Sequence, residues 1–391
     1  QAAWTELAAL WLAQGDARRA DSYADKALAV DPANLDALGV RVVVARQRGG
    51  GAALNARIAA LERADPLSQL ARFERLLALR APDAGQRLFD GVRSELPEQA
   101  LFQLAAWYQD VGDIESARRV LEGVGEHPEA LYWRAAMRRV PDADASALVA
   151  RANALSPRLV FPFRPEVTGA LERAVRAGRD WKPRYYLALA YWGSGRVAAA
   201  ATLFAELGDT PDYAPFYAAR AALPGRLMRD QLADLARAAA LDSTEWRYGK
   251  LLTERRLEAG DTAGAVVTAR SYYARTPSRY ILGLTLVRAL VAAQRYGEAD
   301  AVLATLTVLP YEGAGEGHAL YREAKLMLAL DAMRDRRWDV ARRFIGEARE
   351  WPERLGAGKP YAADVDEHLE DWLLADVADA EREEQRGQRP L

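Results

Sequence analysis

The strongest constraint on the fold is a pattern about 34 residues long that recurs along the chain. Its clearest copy opens the sequence as QAAWTELAALWLAQGDARRADSYADKALAVDPAN, residues 1–34. Trp4, Leu7, Ala8 and Trp11 fall at three- and four-residue steps, one face of a helix. Gly15-Asp16 stops that helix, because glycine leaves helical geometry at little cost. A second helix follows with Ala20, Tyr23, Ala24, Ala27 and Leu28 on one side, and Asp31-Pro32 ends it, since proline cannot continue the hydrogen-bond ladder. Ala20 and Ala27 are small where two helices must cross closely. The pair is an antiparallel hairpin whose apolar face cannot be covered from within, so neighbours must cover it. Neighbours are present. Asp65-Pro66 repeats Asp31-Pro32 at 34 residues, and Gly112-Asp113 with Ala117 repeats Gly15-Asp16 with Ala20. Gly260-Asp261 with Ala265 does so again and closes at Pro277; Gly195 with Ala200 and Phe204 is a further copy. Glu298-Ala299 before Leu309-Pro310, and Val340-Ala341 before Trp351-Pro352, are weaker ones.

This Trp/Leu/Gly/Ala/Pro pattern at this period resembles the tetratricopeptide repeat family. The resemblance implies an all-α fold, a right-handed α-solenoid of about eight to ten helical hairpins with strands nearly absent. Some repeats are degenerate. Gly49, Gly50 and Gly51 interrupt the second, and residues 140–182 fit no repeat cleanly. The expected organisation is N-terminal repeats over 1–139, an irregular connection over 140–182, C-terminal repeats with Gly/Pro-rich loops over 183–374, and a polar tail over 375–391. That tail, containing EREEQRGQRP, reads as a last helix that frays or as disorder.

Composition excludes several classes of function. Half of the 391 residues are hydrophobic, enough for a large core, and the net charge is −2. With acid and base balanced and no polybasic block, neither nucleic acid nor an anionic membrane is an expected partner. No apolar run approaches the roughly 20 residues that span a bilayer. There are no cysteines, so thiolate catalysis, disulfides and cysteine-based zinc sites are excluded. GAGKPY at 356–361 lacks the first glycine of a phosphate-binding loop and follows its lysine with Pro360; GAGEG at 313–317 lies between helical repeats and reads as a loop. His127, His318 and His368 are scattered, so no metal site is expected. Asp364 and Glu367 read as a solvated helix face rather than an acid–base couple. No catalytic residue, metal or cofactor is called for. The chain begins at Gln1 inside a helical pattern, which reads as a piece of a longer or processed protein.

Three stretches are richer than hairpin packing requires: VFPFRPE (160–166) with DWKPRYYLALAYWGSGR (180–196); PDYAPFYAARA (211–221); and the pair LPYEGAGEGHALYREAK (309–325) and WPERLGAGKPY (351–361). In tetratricopeptide arrays the first helix of each hairpin lines a concave groove. Shifting the first repeat by 180, with Gly15 and Gly195 as register, puts Lys182, Tyr185, Tyr186, Leu189, Trp192 and Gly193 on that face. Aromatic rings with polar handles suit a peptide with apolar anchors or a sugar. The alternative is that Tyr185, Tyr186 and Trp192 fill the space beside the irregular segment, packed on Phe161 and Phe163. In the glycine loop, Glu312, Glu316 and His318 stand where a helix N-terminus could present N–H donors to a ligand, or the glycines only permit a tight turn. The 351–361 connection is long enough to be functional or to clamp an open end.

Taken in order, these stretches over about 155–375 are also similar to the C-terminal helical half of certain large bacterial proteins. Those carry an N-terminal β-rich domain related to the galactose-mutarotase fold, of unknown function. The resemblance implies a helical half of a longer chain and a sugar-related missing half. Two functions follow as expectations. One is a non-catalytic scaffold holding a protein or peptide in its groove. The other is an accessory module of a carbohydrate-active protein, giving aromatic and polar groups to a glycan site beside an N-terminal β-rich domain of the same polypeptide. An autonomous enzyme is the weakest, because no nucleophile and base can be paired.

Overall fold

The structure is a computed structural model, and it describes residues 2–138, 140–311, 313–361 and 365–387. Every regular element among them is helical, in two compact units, residues 1–210 and 211–391. The first unit holds α1 (Ala2–Ala13), α2 (Ala17–Val30), α3 (Leu35–Gln47), α4 (Gly51–Ala64), α5 (Gln69–Ala78), α6 (Ala84–Gly91) and α7 (Pro97–Asp110). It continues with α8 (Ile114–Val124), α9 (Pro128–Ala136), α10 (Asp142–Ala154), α11 (Pro165–Ala177), α12 (Trp181–Gly193) and α13 (Val197–Leu207). The second holds α14 (Ala214–Ala221), α15 (Met228–Leu241), α16 (Trp246–Glu258), α17 (Thr262–Arg275), α18 (Tyr280–Ala292) and α19 (Tyr296–Thr305). It ends with α20 (Glu316–Arg334), α21 (Trp338–Ala348) and α22 (His368–Gly387).

The four clearest copies turn the same way. At Gly15, Gly112, Gly195 and Gly260 the backbone takes φ of 82°, 79°, 79° and 78°, the left-handed region that glycine enters without a Cβ penalty. The next residue's N–H then bonds back to a carbonyl in the last turn: Asp16 to Trp11, Asp113 to Tyr108, Arg196 to Tyr191 and Asp261 to Arg256. Asp16, Asp113 and Asp261 next cap the second helix, their carboxylates accepting from the N–H of Arg19, Ser116 and Gly264. Five residues past each glycine, Ala20, Ala117, Ala200 and Ala265 are fully buried at the helix crossing. The weaker copies keep this geometry without the glycine. Gln294 and Arg336 stand at φ of 59° and 57°, and Ala299 and Ala341 are again fully buried. The fold is therefore all-α, built of tetratricopeptide-like helical hairpins.

In the first unit the hairpins are tied together by a buried ionic group. Arg46 on α3 donates from Nε to Glu74 Oε2 on α5 at 2.8 Å and from Nη2 to Asp113 at the start of α8. Tyr108 on α7 donates its hydroxyl to Glu74 Oε1 at 2.8 Å. Glu74 is fully buried, and desolvation pushes its carboxyl up against the pull of Arg46. Residues 140–182 contain α10, which packs on α9, an extended connection, and α11, which packs on both α9 and α12.

In the second unit α14/α15, α16/α17, α18/α19 and α20/α21 are the hairpins, and α22 lies on α21. Leu373 and Val377 of α22 complete the last core with Ile345 and Ala329. Arg342 of α21 donates to Glu381, and Trp338 Nε1–H to Glu384 at 2.6 Å. The helix covers the apolar flank that a terminal hairpin would leave open.

Candidate functional site

The two glycine-rich connections of the second unit, far apart in sequence, meet. Val308 N–H donates to Arg354 O at 2.7 Å, and Ala357 N–H to Ala314 O at 3.1 Å. The approach is too close for side chains. A Cβ on Gly317 would stand 2.3 Å from Leu355 O, and one on Gly356 would stand 2.1 Å from Ala314 O. Glycine at 317 and 356 is thus dictated by backbone lying on backbone, with Leu355, in a short 3-10 turn (Glu353–Leu355), buried in the core below.

His318, in the first turn of α20, is buried and stacked on Trp351, ring centroids 4.0 Å apart and planes 20° apart. Ala357 O accepts from both rings, from Trp351 Nε1–H at 2.9 Å and from His318 Nε2 at 3.1 Å. A carbonyl only accepts, so His318 carries its proton on Nε2. Its Nδ1 is then a buried acceptor without a hydrogen-bond partner. Burial holds the imidazole below its ordinary pKa, so it is neutral near pH 7.

Beside this stack lies a cavity of about 360 Å³. Ala319, Ala348, Trp351, Pro360 and Val365 give it apolar walls, and Lys359 stands exposed on its rim. Four of the charges in the wall are paired, while Glu350 and Lys359 make no ion pair among the described residues. Arg322 donates to both oxygens of buried Glu370, at 2.5 and 2.7 Å, and to Asp366 O at 3.0 Å. That pairing holds the Glu370 carboxyl below the usual carboxylate range. Arg349 pairs with Asp371 and, at 3.6 Å, with Glu367. The result is a concave, largely apolar surface whose edge carries the Arg322–Glu370 and Arg349–Glu367 pairs together with Glu350 and Lys359. A lone neutral imidazole whose single N–H is given to a carbonyl offers no nucleophile–base pair, and the described residues contain no group of side chains arranged to hold a metal ion.

The other candidate residues fall elsewhere. Glu316 is exposed, on the first turn of α20, and pairs with Arg288. Glu312 lies outside the described residues, as does Asp364. Lys182 Nζ fastens the end of α10, donating to Asn153 O at 2.5 Å and Leu155 O at 2.7 Å. Tyr185 and Tyr186 are buried in the first unit, Tyr185 against Phe204 and Trp181, Tyr186 against Tyr132. Trp192 is half-buried. The tyrosines do not pack on Phe161 and Phe163, both of which face solvent. Sequence reasoning flagged both glycine loops but not their pairing. The chemistry of the pairing, Trp351 with His318 and Arg322 with Glu370, spans 33 and 48 residues and has no local signal.

No protein-family model matches the sequence, and no curated protein does. Among solved structures, the chain is similar to yeast Tom70 at 12% identity and a TM-score of 0.30, over 99% of this chain and 90% of that one. It is similar to the TPR domain of P58(IPK) at 16% identity and a TM-score of 0.24, over 99% of both chains. The Cut9–Hcn1 hetero-tetramer of the APC/C is similar at 11% identity and a TM-score of 0.29, over 88% of this chain and 85% of that one.

Proposed function

We propose that the protein is a non-catalytic helical-repeat scaffold that holds a protein or peptide partner, with the cavity beside His318 and Trp351 as one point of attachment. The observation that carries this reading is the backbone-on-backbone lock of the two glycine loops. A hairpin array needs neither loop to stack its helices. Here both are held by hydrogen bonds and by two obligatory glycines, and together they shape a concavity. Its volume admits one or two large side chains, and its apolar walls suit an apolar anchor of a peptide chain, with Glu350 and Lys359 at the edge left to meet polar groups beside it. The buried rings Tyr185 and Tyr186 give no support to a glycan at the first-unit position.

A display selection of random peptides on the folded chain tests this. Ala319 is exposed on the cavity wall, so Ala319→Trp fills the space without disturbing the core. Peptides enriched on the parent protein should bind Ala319→Trp at least about tenfold more weakly. Equal binding to both, or no enrichment at all, contradicts the assignment.

A further inference from the structure

The connection between α10 and α11 is not absorbed by that reading, and it lies in the other unit. Along 159–163 exposure alternates strictly. Leu159, Phe161 and Phe163 are 59%, 60% and 60% exposed, while Val160 and Pro162 are buried. Over Val160–Phe163 this period of two is that of an extended segment with one face on the protein and one in solvent, and Leu159 stands in the turn that leads into it. The solvent face carries Phe161 and Phe163, and Leu159 is exposed in the turn beside them. Nothing in the packing of the unit benefits from them, and contiguous apolar surface of this kind marks a binding site.

Two further observations point the same way. Leu159 holds φ of 60°, a left-handed conformation that costs an L-residue free energy, and its exposed side chain recovers none of it. The ribbon is also stiffened in advance, with Pro157, Pro162 and Pro165 fixing the chain, so a partner would lose little of its binding energy to ordering it. Charge then selects the partner. The sequence has 55 acidic residues in 391, yet none between Asp144 and Glu166, a run that holds Arg151, Arg158 and Arg164. Arg151 pairs with Glu126, and Arg164 lies over the Phe163 ring at 4.8 Å while donating to Gln103 Oε1 at 2.8 Å. Arg158 is exposed and has no ion-pair partner among the described residues.

We infer that the Leu159–Phe163 segment is a docking element that lays its exposed apolar side chains on the apolar face of an acidic amphipathic helix, a face rimmed by carboxylates. The apolar teeth supply the contact, and the basic flank sets the sign of the rim. A lipid surface is the poorer fit. Anionic membranes are held by clusters of four to eight basic residues, and here one arginine is bridged and one is engaged with glutamine.

The test uses two labelled helical peptides with the same leucine and tryptophan stripe. One carries glutamate at the remaining positions and the other lysine. Fluorescence anisotropy on the full chain should show the glutamate peptide binding, with the lysine peptide at least about tenfold weaker. Phe161→Ser with Phe163→Ser should weaken the glutamate peptide at least about tenfold while the thermal midpoint holds, because both side chains are solvent-facing. Leu159→Gly should also weaken it, with a midpoint equal or higher, since glycine relieves the left-handed residue. Binding untouched by these substitutions, preference for the lysine peptide, or binding by neither peptide overturns the inference. Loss-sensitive binding to phosphatidylserine vesicles, or self-association abolished by the double substitution, would overturn it in favour of a membrane or a second copy. Ala319→Trp should leave all of these readouts unchanged, so this element and the cavity stand or fall separately.

Discussion

The start of α9 carries two buried titratable groups that should oppose each other. Glu129 is buried, and desolvation raises its pKa from 4.5 to about 7, with Arg164 and the backbone N–H of Phe161 pulling it back. His127, its ring edge-on to Phe102, is lowered by burial from 6.5 to about 4. An acid whose folded pKa is raised contributes stability at low pH and loses it as pH climbs from the unfolded toward the folded value. A base whose folded pKa is lowered contributes above its unfolded value and loses as pH falls toward the folded one. Both windows lie between about 4 and 7. At about 1.36 kcal/mol per pKa unit, moving from pH 8 to pH 5 gains about 2–3 kcal/mol from Glu129 and loses about 2 kcal/mol from His127. The two nearly cancel, so α9 in the parent protein should open with little dependence on pH. Glu129→Gln leaves His127 uncompensated, and protection of the α9 amides against hydrogen exchange, corrected for intrinsic rate, should fall about 30-fold from pH 8 to pH 5. His127→Gln leaves Glu129, and protection should rise about 70-fold over the same range. Glu74 and other groups titrate alike in all three proteins and drop out of the differences. Parallel profiles in the three would refute the reasoning.

Three other outcomes are expected. Gly317→Ala and Gly356→Ala each drive a Cβ into a carbonyl oxygen and should lower stability by about 2 kcal/mol or more, with Trp351 fluorescence shifting to the red as the lock opens. Gln294→Gly should raise stability by roughly 1 kcal/mol by relieving a left-handed residue, whereas Gly260→Val should cost about as much; thermal melts read both. Arg46→Met, which leaves Glu74 buried beside Tyr108 without its cation, should cost about 3–5 kcal/mol in urea unfolding.

The hairpins were legible in the sequence because their signals are local. Gly15, Gly112, Gly195 and Gly260 sit at the left-handed turn, and the alanine five residues on sits at the crossing. Where Gln294 and Arg336 take the same conformation, the turn is set by its flanking helices rather than by glycine, and the pattern looks degenerate although the geometry is not. The candidate site was half legible. GAGEG and GAGK marked places where the backbone needs freedom, but not that each loop demands glycine because of the other. Tyr185 and Tyr186 show the reverse problem. Their position in the repeat register matched a groove face, and only the packing around Phe204 and Tyr132 reveals that the rings are enclosed. Phe161 and Phe163, read as packing partners for those rings, face solvent because the extended connection points them outward.

The most direct measurement of the scaffold reading is site-specific photocrosslinking from position 319. A benzoylphenylalanine placed there, with a peptide enriched on the parent protein added, should yield an adduct whose yield falls when unlabelled peptide competes. On the parent chain, the same peptide should protect the Gly315–Arg322 and Trp351–Glu370 segments from hydrogen exchange. An adduct insensitive to competition, or protection confined to other helices, would mean that the cavity made by the two glycine loops is not where the partner is held.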